Sequence, residues 1–228
     1  MRKLIRLLVL PLIPVLGMFL VSGKEVSDNV YHAHENADMK IALTFDDGPH
    51  PRLTPAILDI LKKYNVRATF FLVGENVDNY QELAQRILKE GHEIGNHTYT
   101  HDKVSGLGEF QIKREIERCE AAIYEQTDYK TKLFRPPQGF LDDKVQSVSE
   151  EMDYRVILWD VDTEDWAHVS PKEICQNVCK HVSAGSIILM HDYVSYNSPT
   201  PEALELFLPI LLAQGYQFTV VSDLIGSY

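Results

Sequence analysis

Cysteine is scarce in this sequence: there are three, at positions 119, 175 and 179, in 228 residues. So few in so long a chain exclude a disulfide-stapled scaffold, and an odd number leaves at least one free thiol. Positive charge is also short. Lys plus Arg number 22 against 33 Asp plus Glu, giving a formal net charge of -11 and a pI near 5.2. That balance argues against nucleic acid as a partner, because phosphate recognition needs clustered Lys and Arg. Charged residues at 24% and apolar residues at 45% are the proportions of a folded domain and exclude a disordered chain. The His-Glu-x-x-His helix signature of a zinc peptidase is missing, which removes that class.

One long apolar run is present, Leu7 to Val21, preceded by Arg2, Lys3 and Arg6 and followed by the small pair Ser22-Gly23. A basic start, an apolar stretch and small residues at its end form a secretory signal. The run falls short of the ~20 residues that span a bilayer comfortably, and Pro11 and Pro14 interrupt it. Residues 1–23 are therefore expected to be a signal peptide or an N-terminal membrane anchor, and the chain to work outside the cytoplasm. No cysteine follows the run to carry a lipid. Residues 24–39 are polar and aperiodic and are read as a linker, with His32 and His34 solvated. The remaining 40–228 are expected to form one catalytic domain.

From residue 40 short apolar strands alternate with helical periodicities. Strands are expected at 40–45, 67–73, 92–96, 133–134, 154–159, 186–190 and 218–221. Helices are expected at 54–64, with Thr54 as N-cap and Pro55 as first helical residue, and at 78–89, 109–125, 142–152, 171–181 and 201–213. Strands separated by helices imply a parallel sheet with helical crossovers. The fold class is α/β: an irregular (β/α) barrel of seven to eight units, with a doubly wound open sheet as the competing arrangement. Both place chemistry at the C-terminal strand ends.

Those ends carry unusual residues. The first is Thr44-Phe45-Asp46-Asp47-Gly48-Pro49, two adjacent carboxylates of which one can ligate a cation while the other stays free as a base. The third runs into His97-Thr98-Tyr99-Thr100-His101, two imidazoles that can meet one metal if the segment is a helical turn. With Asp47 they make three ligands and leave a position open, the count of a catalytic site. The next ends are Arg135-Pro136-Pro137-Gln138-Gly139, with prolines stiffening the loop, then Asp162-Thr163-Glu164-Asp165-Trp166, then Leu189-Met190-His191.

These five segments resemble the motif set of the NodB-homology polysaccharide deacetylases, carbohydrate esterase family four, over about residues 38–225. The resemblance implies Asp47, His97 and His101 as ligands of one divalent metal, zinc first, with cobalt, nickel or manganese as alternatives. It implies Asp46 as general base, Arg135 as the partner that holds it, and His191 as general acid oriented by Asp165. The backbone N–H of Gln138 would face the oxyanion, and Trp166 and Leu189 would wall the acetyl pocket. The implied activity is metal-dependent removal of N-acetyl groups from N-acetylglucosamine units of an extracellular polysaccharide, peptidoglycan first. Chitin oligosaccharides, acetylated xylan or non-catalytic glycan binding are the alternatives, and the chain is expected to be a monomer. One departure stands out: Gln138 occupies a position that is often aromatic in the family. Cys119 is expected in the core, and Cys175 and Cys179, four apart on a helix, as buried small residues. Asp192, Tyr193, Tyr196 and His168 are candidates for the cleft border.

Overall fold

The computed structural model describes residues 29–35, 37–167, 169–193 and 197–226. The expected signal or anchor at 1–23, the first part of the linker, His168 and Tyr196 lie outside the described residues. The strands are β1 (Val30–Tyr31), β2 (Lys40–Asp46), β3 (Thr69–Leu72), β4 (Glu93–Asn96), β5 (Leu133–Phe134), β6 (Arg155–Ile157), β7 (Val161–Asp162), β8 (Ile187–His191) and β9 (Gln217–Thr219). The helices are α1 (Leu53–Tyr64), α2 (Gly74–Asn79), α3 (Gln81–Lys89), α4 (Glu109–Thr127), α5 (Asp143–Glu151), α6 (Pro171–His181), α7 (Thr200–Ala213) and α8 (Val221–Ile225).

Every strand pairing is parallel, in the order β1-β6-β5-β4-β3-β2-β8-β7, with β9 on the first half of β2. Among the described residues no strand pairing joins β1 to β7, so the barrel is irregular and open, a point on which the alternation of strands and helices is silent. Central β2 is buried from Ile41 to Asp46, as a parallel strand covered on both faces must be. The period of two then sorts its side chains. Ile41, Leu43 and Phe45 join the layer packed under the helices, with Phe45 stacked on Phe70 at 4.9 Å. Ala42 faces inward with Phe71, Leu133, Ile157 and Ile187 against Val221, Leu224 and Ile225 of α8, which plugs the strand-start end. Thr44 and Asp46 continue the inward set toward the strand-exit end.

Three expectations need correction. Within the supposed linker 24–39, β1 pairs with β6 (Val30↔Val156, Tyr31↔Ile157), the His34 N–H donates to the Gly185 carbonyl at 2.9 Å and Ala37 is buried. The folded unit thus begins by residue 30, ten residues before the expected boundary at 40. A two-residue strand is too short for a visible period. The helix expected at 78–89 is two, α2 and α3, broken at Tyr80 (φ -135, ψ 52). Thr54 is not the N-cap of α1 but lies inside it, fully buried, where its hydroxyl accepts from the His50 N–H and donates to Asp192.

Candidate active site

The inward set converges at the strand exits. Register places Asp46 of β2 beside His191 of β8 and beside Phe71 of β3, which in turn pairs with Gly95 of β4. A cleft of about 400 Å³ opens there, lined by Asp46, Asp47, His97, His101, Gln138, Trp159, Asp162, Trp166, Leu189 and His191.

Arg135 anchors the floor. It is fully buried, and Nη1 donates to Asp46 Oδ1 (2.7 Å) and Thr44 Oγ1 (2.8 Å), while Nε and Nη2 donate to the Ile157 and Leu158 carbonyls. Its guanidinium lies 4.2 Å from the Phe71 ring centroid. That stack depends on a glycine: a Cβ at position 95 would meet the Phe71 ring at 2.3 Å. A buried charge is tolerable only when paired and hydrogen-bonded, and both conditions hold. Burial lowers the Arg135 pKa, and the Asp46 carboxylate opposes the shift.

Beside this pair lies a cluster of three donors. Asp47 Oδ1 is 3.1 Å from His101 Nε2 and 3.4 Å from His97 Nε2, and one ligand atom from each residue lies within 4.8 Å of the others. His97 Nδ1 sits 2.7 Å from the Arg135 carbonyl oxygen, which can only accept, so Nδ1 carries the proton and Nε2 turns a bare lone pair to the cluster. A carboxylate and an imidazole lone pair cannot share so small a space without positive charge among them. Burial raises the Asp47 pKa, but the pairing with His101, helped by the adjacent His97 ring, outweighs it and holds the carboxyl below the ordinary carboxylate range. The chemistry of the set fits one divalent cation with room for water. Among the described residues it is the one cluster of three that could hold a metal. The expected helical turn is not what joins the imidazoles: 97–101 is a loop, with Thr98 and His101 in the left-handed region (φ 67 and 59), as is Asp47 (φ 77).

The opposite wall is His191 on Asp165. Asp165 is fully buried; Oδ1 lies 2.7 Å from His191 Nδ1, and Oδ2 accepts from the His191 backbone N–H (2.8 Å) and Thr200 Oγ1 (2.6 Å). Burial lowers the His191 pKa, but the Asp165 hydrogen bond and charge, with Asp46 and Asp47 behind them, outweigh it and raise it to about 9. Gln138 is exposed with left-handed backbone (φ 60, ψ 15), Trp166 is 53% exposed, and Leu189 is buried at the base. All ten residues to which the family resemblance gives site roles therefore sit on or directly behind this cleft.

Other participants escaped the sequence. Trp159 lines the cleft and packs against Gly139; in the sequence it reads as strand core. Thr200 starts a helix in chain order yet tethers Asp165. Asn76 Nδ2 donates to the Asp47 carbonyl at 2.7 Å from the part of α2 that precedes the helix expected at 78–89. Asp192 was a candidate for the cleft border and is instead fully buried beneath it. Its carboxyl fills the space where Gly48 lacks a side chain, takes the Thr54 hydroxyl, and is pushed up to about 7 chiefly by burial. Tyr193 is 44% exposed and meets the His50 ring edge-on. Cys119 is buried in the core, and Cys175 and Cys179 are free and half-buried against it.

Comparison with known proteins agrees with this geometry. The polysaccharide deacetylase family profile matches residues 33–157. A peptidoglycan-N-acetylglucosamine deacetylase of Bacillus cereus is 39% identical over 206 residues, 89% of this chain and 96% of the relative; other curated relatives are longer than this chain. The crystal structure of a peptidoglycan N-acetylglucosamine deacetylase with a bound hydroxamic acid superposes with a TM-score of 0.83 at 34% identity, over 88% of this chain and 94% of that one. A family 4 acetyl xylan esterase from Clostridium thermocellum, solved with a cobalt ion, superposes at 0.76 and 34% identity, over 81% and 88%. The chain belongs to the polysaccharide deacetylases of carbohydrate esterase family four.

Proposed function

We propose that this protein is a metal-dependent hydrolase that removes N-acetyl groups from N-acetylglucosamine units of an extracellular polysaccharide, peptidoglycan first. The observation that carries the reading is the joint presence, in one cleft, of a cation-shaped donor set, a free carboxylate beside it and an imidazolium opposite. Asp47, His97 and His101 would hold the cation, with zinc the first choice and cobalt a fitting alternative. When bound, it would act as a Lewis acid and bring the pKa of a coordinated water from 15.7 to about 7.

The rest is done by this chain. Asp46 Oδ1 is engaged by Arg135, which leaves Oδ2, 3.8 Å from His97 Nε2, facing the cluster to take the proton of the attacking water. Arg135 keeps that carboxylate oriented. Attack on the acetamide carbon puts negative charge on the carbonyl oxygen, where the Gln138 backbone N–H would donate. His191 Nδ1 is spent on Asp165, so Nε2 carries the proton for the departing sugar amine, which is a poor leaving group without one. Trp166 and Leu189 would confine the acetyl methyl, a fit worth only ~1–3 kcal/mol per methylene of acyl length. The C–N bond breaks, the hydroxyl ends on acetate and the amine leaves protonated.

Export is part of the proposal: the basic start and apolar run of residues 1–23 would send the domain across the membrane or hold it there. The test is acetate release from N-acetylglucosamine oligomers and from peptidoglycan with added divalent metal. Release that a chelator stops supports the reading. Binding of glycan with no loss of acetate under any metal contradicts it. A second reading, acetyl-ester hydrolysis on xylan, is favoured by the similarity to the acetyl xylan esterase; an alkoxide leaves more readily than an unprotonated amide nitrogen, so the same groups suffice. Relative kcat/KM on the two substrate classes separates them.

A further inference from the structure

The loop that carries both imidazoles has no regular structure and two left-handed residues, so its shape must be imposed from outside. On one side, the backbone N–H groups of Gly74 and Glu75 in α2 donate to the Thr98 and Tyr99 carbonyls at 3.0 Å each. On the other, a single carboxylate oxygen on α4, Glu115 Oε2, accepts three hydrogen bonds: from the Tyr99 N–H (3.2 Å), the Thr100 N–H (2.8 Å) and Thr100 Oγ1 (2.9 Å). Arg118 braces this contact, with Nη1 3.6 Å from Glu115 Oε1 and its guanidinium 3.7 Å from the Tyr99 ring centroid. The Glu115 side chain is 15% exposed, whereas Glu117 on the same helix is exposed.

We infer that Glu115 is a positioning residue for the cation site: it fixes the Thr100 backbone and so aims the next residue, His101, at Asp47. The inference rests on the metal-binding reading above. His97 stands apart from this clamp. It follows directly on β4, its backbone N–H donates to the Leu72 carbonyl, and its ring is held by the Arg135 carbonyl. Loss of Glu115 should therefore free one of three donors and leave the other two in place, so cation affinity drops without vanishing.

The experiment is calorimetric titration of zinc into the metal-free full chain and its Glu115→Ala, Glu115→Gln and Glu117→Ala variants, with thermal melts of each metal-free form. The expected loss for Glu115→Ala is on the order of tenfold in affinity, the scale seen when groups supporting a metal ligand are removed. Glu115→Gln, whose one oxygen still accepts, should fall between Glu115→Ala and wild type, and Glu117→Ala should match wild type. The absorption spectrum of the cobalt-loaded Glu115→Ala variant should also change, because one ligand is less constrained. Wild-type binding with Glu115→Ala within about twofold of it overturns the role of Glu115 alone. No zinc binding by wild type overturns the metal reading and this inference with it. If Glu115→Ala does not fold, Glu115→Gln decides: affinity and cobalt spectrum both equal to wild type overturn the assignment.

Discussion

The two walls of the cleft solve opposite problems. On the His191 wall the carboxylate is satisfied within the protein: Asp165 takes three hydrogen bonds, and the imidazole that it holds is charged at neutral pH. On the Asp47 wall the groups are aimed at one another, a carboxylate between two imidazole nitrogens at 3.1 and 3.4 Å. The first wall is complete as folded. The second, on the proposed reading, would be completed by a cation. The difference separates a proton carrier, set by internal pairing, from a binding site, set by leaving ligands unspent. Asp46 stands between them, one oxygen held by Arg135 and the other turned to the cluster.

The sharpest way to break this comparison is at its midpoint. Asp46→Asn should lower kcat by roughly 10²- to 10⁴-fold, the range for loss of a general base, while zinc binding measured by titration persists. Loss of zinc binding in that variant would move Asp46 to the ligand wall. Next comes the proton carrier. The metal-free His191 titration should centre near 9, and the kcat/KM profile should fall with rising pH on its alkaline side, because His191 then arrives without its proton. Asp165→Asn should move that limb down toward the ordinary imidazole value of about 6.5 and lower the plateau. A cation on the Asp47 wall would cancel part of the Asp46 and Asp47 contribution, so the metal-loaded limb should lie below the metal-free His191 titration seen by NMR.

The walls should also differ in stability. The folded-state pKa of His191 lies above its unfolded value, so the pairing with Asp165 contributes fully below pH about 6.5 and is lost as pH rises through about 9. Melting curves of wild type against His191→Gln should converge on the alkaline side of that window. Chelation, by contrast, should lower Tm at pH 7 through the other wall, by an amount that grows with free zinc as binding linkage requires; at 1,000 times Kd that is about 4 kcal/mol. The smallest effect belongs beneath both walls. Thr54→Val removes the hydroxyl donated to buried Asp192 and should cost about 1–3 kcal/mol of stability in denaturant melts, with zinc affinity kept.

Much of this was legible before any coordinates. The alternation of short apolar strands with helical segments predicts a parallel sheet, and strand ends marked by Asp46-Asp47, Arg135 and His191 gather because parallel strands share an exit; which face of β2 and β8 turns inward was not legible, because both strands carry apolar residues on both faces. The partners of those residues were not legible. Thr200, Asn76 and Glu115 act on Asp165, Asp47 and the Thr100 backbone through contacts set by tertiary packing, and no local pattern distinguishes them from ordinary helix residues. The spacing of His97 and His101 reads as a helical turn, whereas left-handed backbone at Thr98 and His101 supplies the convergence. Strand β1 eluded detection because two residues show no period, and Trp159 because a large apolar residue after a strand looks like core.

The most direct measurement of the central claim is the anomalous scattering of crystals grown with zinc or cobalt. One peak per chain bonded to Asp47, His97 and His101, at about 2.0–2.2 Å for zinc, with Asp46 outside bonding distance, is the predicted result. Acetate release from N-acetylglucosamine oligomers by crystals or solutions in which that position holds no ion would contradict it.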